Sequence, residues 1–374
     1  MNRLVFYHTA DLHLGADLNG FSEQAAEKIR AAQYKALQKI LFLASEEKAA
    51  FVLICGDLFD SRTPSGLTVN LTSEILNNFP EVPVFILPGT HDFADDSGIF
   101  ACPENLSFGP QTTVLTDAVK SPLCLPDFNC YLHFNINRSN HSAQSPLTGL
   151  SRTGNDGFHI ALAHGNLGTA GSGPGRDFPI DEKDITNSGF DYIALGHWHK
   201  SQNKYIGKTT VAYPGTPQPL SFSDPEAGSV LRVELETGQA ARIKAMGTST
   251  VHLARRSGTI YHPDEIEHQL ADLDRENTVL KIAFSYSDNM KERSRINQII
   301  KDFSGEFLEM IDENRPELSK SPANKGLFES GGSEPLEMKF LAELELLKAA
   351  DSADREYLYS KAADLGLSLI RGEK

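Results

Sequence analysis

A chain of 374 residues, 40% hydrophobic and 23% charged, is long enough for a large core plus one or two smaller units. No apolar run reaches about 18 residues, and the opening "MNRLVFYHTADLH" is too briefly apolar for a signal peptide, so a cytoplasmic protein without membrane spans is expected. The formal charge of −15 excludes nucleic-acid binding by bulk electrostatics, which needs a basic face; contact with DNA would have to be local, metal-assisted or shared with a partner.

The first two-thirds alternates amphipathic segments with short apolar runs: "LVFYHTA" (4–10), "FVLICG" (51–56), "VPVFILPG" (82–89), "FHIALAHG" (158–165) and "DYIALGH" (191–197). These predict strands of a sheet buried on both faces between helices. Between the first two runs, Ile29, Ala36, Ile40 and Leu43 return near helical period behind a Ser22 N-cap with Glu23 in the first turn, predicting a helix from Ser22 to about Ala49. A second helix is predicted from Gly66 to Asn78. Residues 102–156, rich in Pro, Ser and Asn, predict short strands and loops, and short strands with Pro and Gly turns follow from "YIGKTTVAYPGTPQPLSF" through "GSVLRVELETG".

A second unit starts near Thr248. "VHLARRS" (strand), "PDEIEHQLADLD" (helix), "TVLKIAFSYS" (strand), 291–303 (helix) and "EFLEMID" (strand) predict a small α/β domain. "ELSKSPANKGLFESGGSEP" (317–335) is a polar linker, after which 336–350 and 354–369 read as two amphipathic helices that fit either a partner groove or the chain's own body. The domains expected are therefore 1–247, 248–316, linker 317–335 and a helical segment 336–374. Cys55, Cys102, Cys124 and Cys130 form no CxxC pair and read as reduced structural thiols.

Each apolar run in the first unit ends in metal-competent residues: Asp11 and His13, then Asp57 and Asp60, Thr90 and His91, His164, and finally His197 and His199. A lone His at a strand end is usually a hydrogen-bonded structural residue; recurrence at consecutive strand ends reverses that expectation, because open α/β sheets gather ligands beyond the carboxyl ends of their strands. The chemistry asks for this mixture. Two divalent cations about 3.5 to 4 Å apart generate a hydroxide near neutral pH and clamp the attacking and leaving oxygens at phosphorus. Carboxylates bridge such ions, and imidazoles suit manganese, iron or zinc better than magnesium.

In this order, "ADLHLG", "GDLFD", "GTHD", "AHGN" and "GHWH" resemble the motifs of the calcineurin-like metallophosphoesterases. The wording "HTADLHLG", "GDLFDSRTPS" and "YIALGHWHK", with a small α/β domain to follow, is similar to the DNA double-strand-break repair exonuclease branch, the SbcD type and its YhaO-like relatives. The resemblance implies an α/β fold: a β-sandwich flanked by helices, with a small α/β capping domain and a C-terminal helical tail. It implies a first metal on Asp11, His13 and His199, a second on His164 and His197, and Asp57 bridging both. His91 would stabilise the transition state and protonate the leaving oxygen, with Asp92 orienting His91. The family carries an Asn where this chain has Thr90, so the resemblance implies a weaker second site here. It further implies two divalent ions, with Mn(2+) first and Fe or Zn as alternatives, a homodimer, and an SMC-like coiled-coil ABC ATPase of SbcC type as partner. No P-loop occurs in the chain.

Arg62, Lys200, Lys204 and Lys208 near the site, and Arg255 and Arg256 near the domain junction, are candidate DNA phosphate contacts, each weighed against an ordinary surface charge. Structural roles are expected for His8, His133 and His159, and a supporting place behind the ligands for Asp60; Trp198 could pack the crevice wall or stack on a base, and the packed position is the one expected. The expected function is a metal-dependent DNA nuclease, an exonuclease with possible endonuclease activity. Its alternatives are a phosphodiesterase or phosphatase on nucleotides or phosphoproteins, and a catalytically weak DNA-binding or ATPase-adaptor subunit.

Overall fold

The computed structural model describes residues 3–103, 106–154, 156–168, 177–224, 227–262, 264–286 and 290–313. Its centre is two six-stranded sheets. In the first, β1 (Arg3–Thr9), β2 (Val52–Cys55), β3 (Val84–Leu87) and β4 (Thr112–Val114) run parallel, and β13 (Ser229–Glu236) and β14 (Arg242–Gly247) extend the β1 edge antiparallel. In the second, β6 (Cys130–Phe134), β7 (Phe158–His164), β10 (Tyr192–Gly196) and β12 (Thr209–Tyr213) run parallel, with β5 (Leu123–Leu125) and β11 (Gln202–Ile206) antiparallel at its edges. A short pair, β8 (Asn166–Leu167) and β9 (Pro179–Ile180), stands apart.

The period-2 alternation of side chains decides how the sheets are covered. Leu4 and Phe6 of β1, Leu53 and Cys55 of β2, and Phe85 and Leu87 of β3 share one core with Leu132, Phe134, Ile160, Leu162, Tyr192 and Ala194 of the second sheet. The intervening residues, Tyr7, Val52, Ile54, Val84 and Ile86, pack on Leu37, Ile40 and Leu41 of helix α1 (Glu23–Glu46) and Leu76 of α2 (Gly66–Asn77). Ala161, Ala163, Ile193 and Leu195 turn to Ile185 of α3 (Glu182–Ser188). The order is helix, sheet, sheet, helix, which is the β-sandwich flanked by helices that the motifs' resemblance implies; the single sheet between helices read from the apolar runs alone is corrected. Each sheet has helices on one face and the other sheet on the second, and an all-apolar strand looks the same under either cover.

The helices end as their sequence demands. Ser22 is the N-cap of α1, its hydroxyl accepting from the Ala25 N–H, and Ser65 caps α2 through the Thr68 N–H; such caps are worth about 1 kcal/mol each. His8 is buried, with Nδ1 2.9 Å from the Tyr192 hydroxyl and Nε2 3.1 Å from the Leu195 carbonyl; burial pushes its imidazole down to about 3. His133 and His159 pair ring to ring at 2.9 Å. All three are structural, as expected. The four thiols are free, Cys55 and Cys130 buried, Cys102 and Cys124 exposed.

Residues after Thr248 build a separate sheet in the order β15 (His252–Ile260), β16 (Thr278–Tyr286), β17 (Glu309–Asp312), with α4 (Asp264–Leu270) and α5 (Met290–Ser304). Ile260, Ile266, Leu280, Ile282, Phe284, Ile296 and Ile300 form its own core. It is nevertheless tied to the sandwich. The Gln218 amide donates to the Val251 carbonyl at 2.8 Å, and the Glu309 carboxylate accepts from the backbone N–H of Ser22 at 2.9 Å. The chain divides into two compact units, 1–310 and 311–374. The predicted linker and helical tail lie outside the described residues. Among the described residues no helix is long and apolar enough to cross a membrane.

Candidate metal centre

The parallel strands β1, β2 and β3 and their counterparts β7 and β10 end at the same edge of the sandwich, where the two sheets almost touch. A Cβ added to Gly196 would lie 1.9 Å from the Cys55 carbonyl oxygen, and one added to Gly56 would lie 2.0 Å from His164 Nδ1. Only glycine fits such an approach. The backbone bends hard here as well. Among the described residues seven non-glycine residues have positive φ, and Asp11 (55°), His13 (47°), Asp57 (53°) and His197 (105°) are four of them. Each such residue costs about 1 to 3 kcal/mol. Strain gathered on the very residues singled out by chemistry marks a built site.

Three sets of side chains lie close enough to hold an ion: Asp11, His13 and His199; Asp11, Asp57 and His164; and His13, Asp60 and His91. Asp57 Oδ1 accepts from the backbone N–H groups of Thr90 (2.7 Å) and His91 (2.8 Å). Its Oδ2 lies 3.2 Å from His164 Nε2 and 3.8 Å from His13 Nε2, facing the ligands of both predicted ions.

The donor set can be tested by counting protons. His13 Nδ1 sits 2.9 Å from Asp60 Oδ1, His199 Nδ1 3.2 Å from Asp224 Oδ2, and His164 Nδ1 2.9 Å from the Cys55 carbonyl. In each case Nδ1 must carry the hydrogen, because the partner can only accept. The Nε2 lone pairs of His13 and His199 therefore point at each other across 3.1 Å, and that of His164 points at a carboxylate oxygen. Acceptor facing acceptor is repulsive unless a proton or a cation sits between. Divalent ions fit these residues.

The electrostatics agree. Burial pushes the His164 imidazole down, but Asp57, by charge and hydrogen bond, and Asp11 push it up further, to about 9. Burial also lowers His13, and its bond to Asp60 with the charges of Asp57 and Asp11 overcomes this, leaving it raised. Burial would raise Asp57, yet His164 and His13 hold it well below the usual carboxylate range. An ion must displace the proton on His164, so metal affinity should climb with pH up to about 9. For the metal-free protein the sign is opposite. His164 is raised above its unfolded value of about 6.5, so its stabilising contribution is full below that pH and is lost as pH rises through about 9. Thermal melts with and without EDTA should diverge over this window; parallel curves would contradict it.

Some expectations change. His197 joins none of the three sets; its Nε2 faces the Asn166 amide nitrogen at 3.2 Å, although its ring centroid is 5.3 Å from that of His164. Its backbone N–H donates to Asp11 at 3.0 Å. The role expected of Asp92 is corrected: its carboxylate is wholly buried and accepts from the backbone N–H groups of Gly89, Phe59 and Asp57, shaping the turn under the site. The His91 ring is positioned instead by Asp60, whose carbonyl oxygen lies 3.0 Å from Nδ1. Asp60 thus supports both His13 and His91.

Thr90 Oγ1 is 3.2 Å from Asp57 Oδ2 and 3.3 Å from His164 Nε2, and its single proton can serve only one of these acceptors. Beside it, Arg62, Thr90, His91, Phe93 and Asn140 line a cavity of about 450 Å3. A larger cavity, about 600 Å3, opens among residues 117–148 and Phe178 and contains none of the predicted ligands.

Several of the basic candidates are engaged. Arg62 pairs with Asp95 at 2.6 Å and lies over the Phe93 ring, Arg256 pairs with Asp272 at 2.8 Å, and Lys204 pairs with Glu182. Lys200, Lys208 and Arg255 are exposed. Two contributors escaped the sequence reading. Asp224 lies in a loop without periodic signal; Asn166 stood inside "AHGN", two residues past His164, where a polar residue following a strand-end ligand was the available signal.

The profile of the calcineurin-like phosphoesterase family matches residues 4–201, and the chain belongs to that family. It is 28% identical over 233 residues to the uncharacterised metallophosphoesterase YhaO of Bacillus subtilis, covering 58% of this chain and 53% of the relative, so it spans about half the length of that protein. Among solved structures it is similar to TT1561 of Thermus thermophilus, with 11% identity, TM-score 0.41, 66% of this chain and 99% of that one. It is also similar to GAP50, the anchor in the inner membrane complex of Plasmodium, with 12% identity, TM-score 0.42, 67% and 86%.

Proposed function

We propose that the protein is a metal-dependent phosphodiesterase acting on DNA. The observation that carries the hydrolytic reading is the paired set of imidazole lone pairs and buried carboxylates where the sheets meet. Two divalent ions bound there, Mn(2+) by our reading, would supply a nucleophilic oxygen at neutral pH and neutralise charge at phosphorus. Asp57 orients its Oδ2 toward both ion positions because Thr90 and His91 hold Oδ1. His91, half exposed and steadied by Asp60, is placed to give a proton to the leaving oxygen. The wording of the motifs and the small α/β unit docked on Ser22 and Gln218 favour DNA over phosphoproteins, with a homodimer and an SMC-like ATPase as proposed partners and the tail as a proposed dock.

Four substrates with manganese test the reading: single-stranded DNA, duplex ends, bis-p-nitrophenyl phosphate and p-nitrophenyl phosphate. Diester and DNA cleavage supports it; cleavage of the monoester alone would move the protein to the phosphatases. His91→Asn should abolish diester hydrolysis, and unchanged activity would instead support an adaptor role.

The second ion site is proposed to be the weaker one, since the Thr90 hydroxyl and His197 Nε2 are both engaged by neighbours. Metal titration should resolve two affinity classes, and Thr90→Asn should tighten the weaker by about tenfold or more. Two equally tight sites in the unaltered protein would refute this.

A further inference from the structure

Trp198 stands between His197 and His199, yet its side chain does not pack into the crevice wall as the sequence reading expected. The residue is 47% exposed. Its indole N–H donates to Asn166 Oδ1 at 2.9 Å, and the Nδ2 of the same amide faces His197 Nε2 at 3.2 Å. One amide therefore fixes the indole plane and an imidazole of the site together. With its polar edge satisfied, the indole has nothing further to gain from water except the hydration of its faces. Among the described residues no aromatic ring or cation lies over it. An indole held in a fixed orientation, open to solvent and within one residue of two predicted ligands, has the properties of a stacking surface.

We infer that Trp198 is a platform for a nucleobase of the substrate, flanking the phosphodiester to be cleaved. This rests on the phosphodiesterase reading and narrows it. A flat apolar surface beside the metal centre favours a substrate that carries an aromatic base next to its phosphate, and gives nothing to a phosphoserine peptide or a sugar phosphate. Stacking is tolerant of base identity, because every base has a π-face, so the platform would grip a strand without reading its sequence. It also suits a chain of charge −15, which cannot rely on long-range attraction for the backbone.

The chain contains one tryptophan, so its fluorescence reports on this site alone. Oligothymidylate added with Ca(2+) should quench the emission, whereas an abasic oligonucleotide of equal length and charge should not. Equal quenching by both, or none by either, overturns the inference. Kinetics give a second arm with two diesters that share a leaving group: methyl p-nitrophenyl phosphate and the p-nitrophenyl ester of thymidine 5′-monophosphate. The unaltered protein should prefer the nucleoside ester in kcat/KM by about 10- to 100-fold. Trp198→Ala should erase that preference, read as the ratio of kcat/KM for the two esters so that any general loss through Asn166 and His197 cancels, and Trp198→Phe should restore much of it. A preference that survives Trp198→Ala overturns the inference and leaves the nuclease reading standing; no preference in the unaltered protein overturns that reading itself. Dissociation of a dimer by Trp198→Ala, with the preference intact, would assign the indole to a subunit contact instead.

Discussion

Asp57→Asn is expected to abolish metal-supported diester hydrolysis while leaving the fold intact. Asn tolerates the left-handed backbone at this position (φ 53°), and its amide oxygen can still accept from the Thr90 and His91 N–H groups that now reach Oδ1. What disappears is charge at Oδ2, which faces His164 and His13. Removing a partner one step behind the ligands typically costs about 10- to 100-fold in metal affinity or activity; removing the charge that faces both proposed ion positions should exceed that. The same change removes the main force holding His164 at about 9, so the pH dependence of metal-free stability between about 6.5 and 9 should flatten. Diester turnover with manganese and melts in EDTA measure the two effects. Retained turnover would exclude the proposed role of Asp57.

The second large effect is structural. Gly196→Ala places a methyl group 1.9 Å from the Cys55 carbonyl oxygen, 2.8 Å from His164 Nδ1 and 2.9 Å from Ala10 Cβ. None of these can yield cheaply, since one is backbone of a fully buried strand, one is the ring of a buried His and the third lies in the core between the sheets. The sheets would have to part at the edge where the site is built. A loss of about 3 kcal/mol or more is expected, the upper end of overpacking costs, read from the urea midpoint. Because Cys55 holds His164 through that same carbonyl, metal affinity should fall together with stability. A variant as stable as the parent would mean that the close approach relaxes freely.

Much of this was legible in the sequence for a physical reason. The runs that became β1, β2, β3, β7 and β10 are apolar on both faces and end in polar residues, and strand ends are where a parallel sheet presents its side chains. Ser22 announced the first helix through a local rule that operates over three or four residues. The second sheet was not legible in the apolar runs themselves, because a strand face covered by another sheet and one covered by a helix both read as Val, Ile and Leu; only the resemblance of the motifs implied the sandwich. Asp92 misled for a related reason: neighbours in a turn point in different directions, so adjacency to His91 said nothing about contact. Asp224 and Asn166 reach the histidines by tertiary folding alone, and Trp198 illustrates the converse, an apolar residue whose surroundings, not its type, decide its exposure.

The left-handed backbone at Asp11 and Asp57 also constrains how this chain can change over generations. At those φ values asparagine and glycine are the replacements with the least steric penalty, and either one keeps the outline of the site while deleting a charge. The shortest mutational route from a working centre to a silent one therefore leaves the silhouette untouched. A descendant that had taken it would superimpose on this protein and differ by an oxygen exchanged for an amide. Here both positions hold carboxylates, each wholly or almost wholly buried.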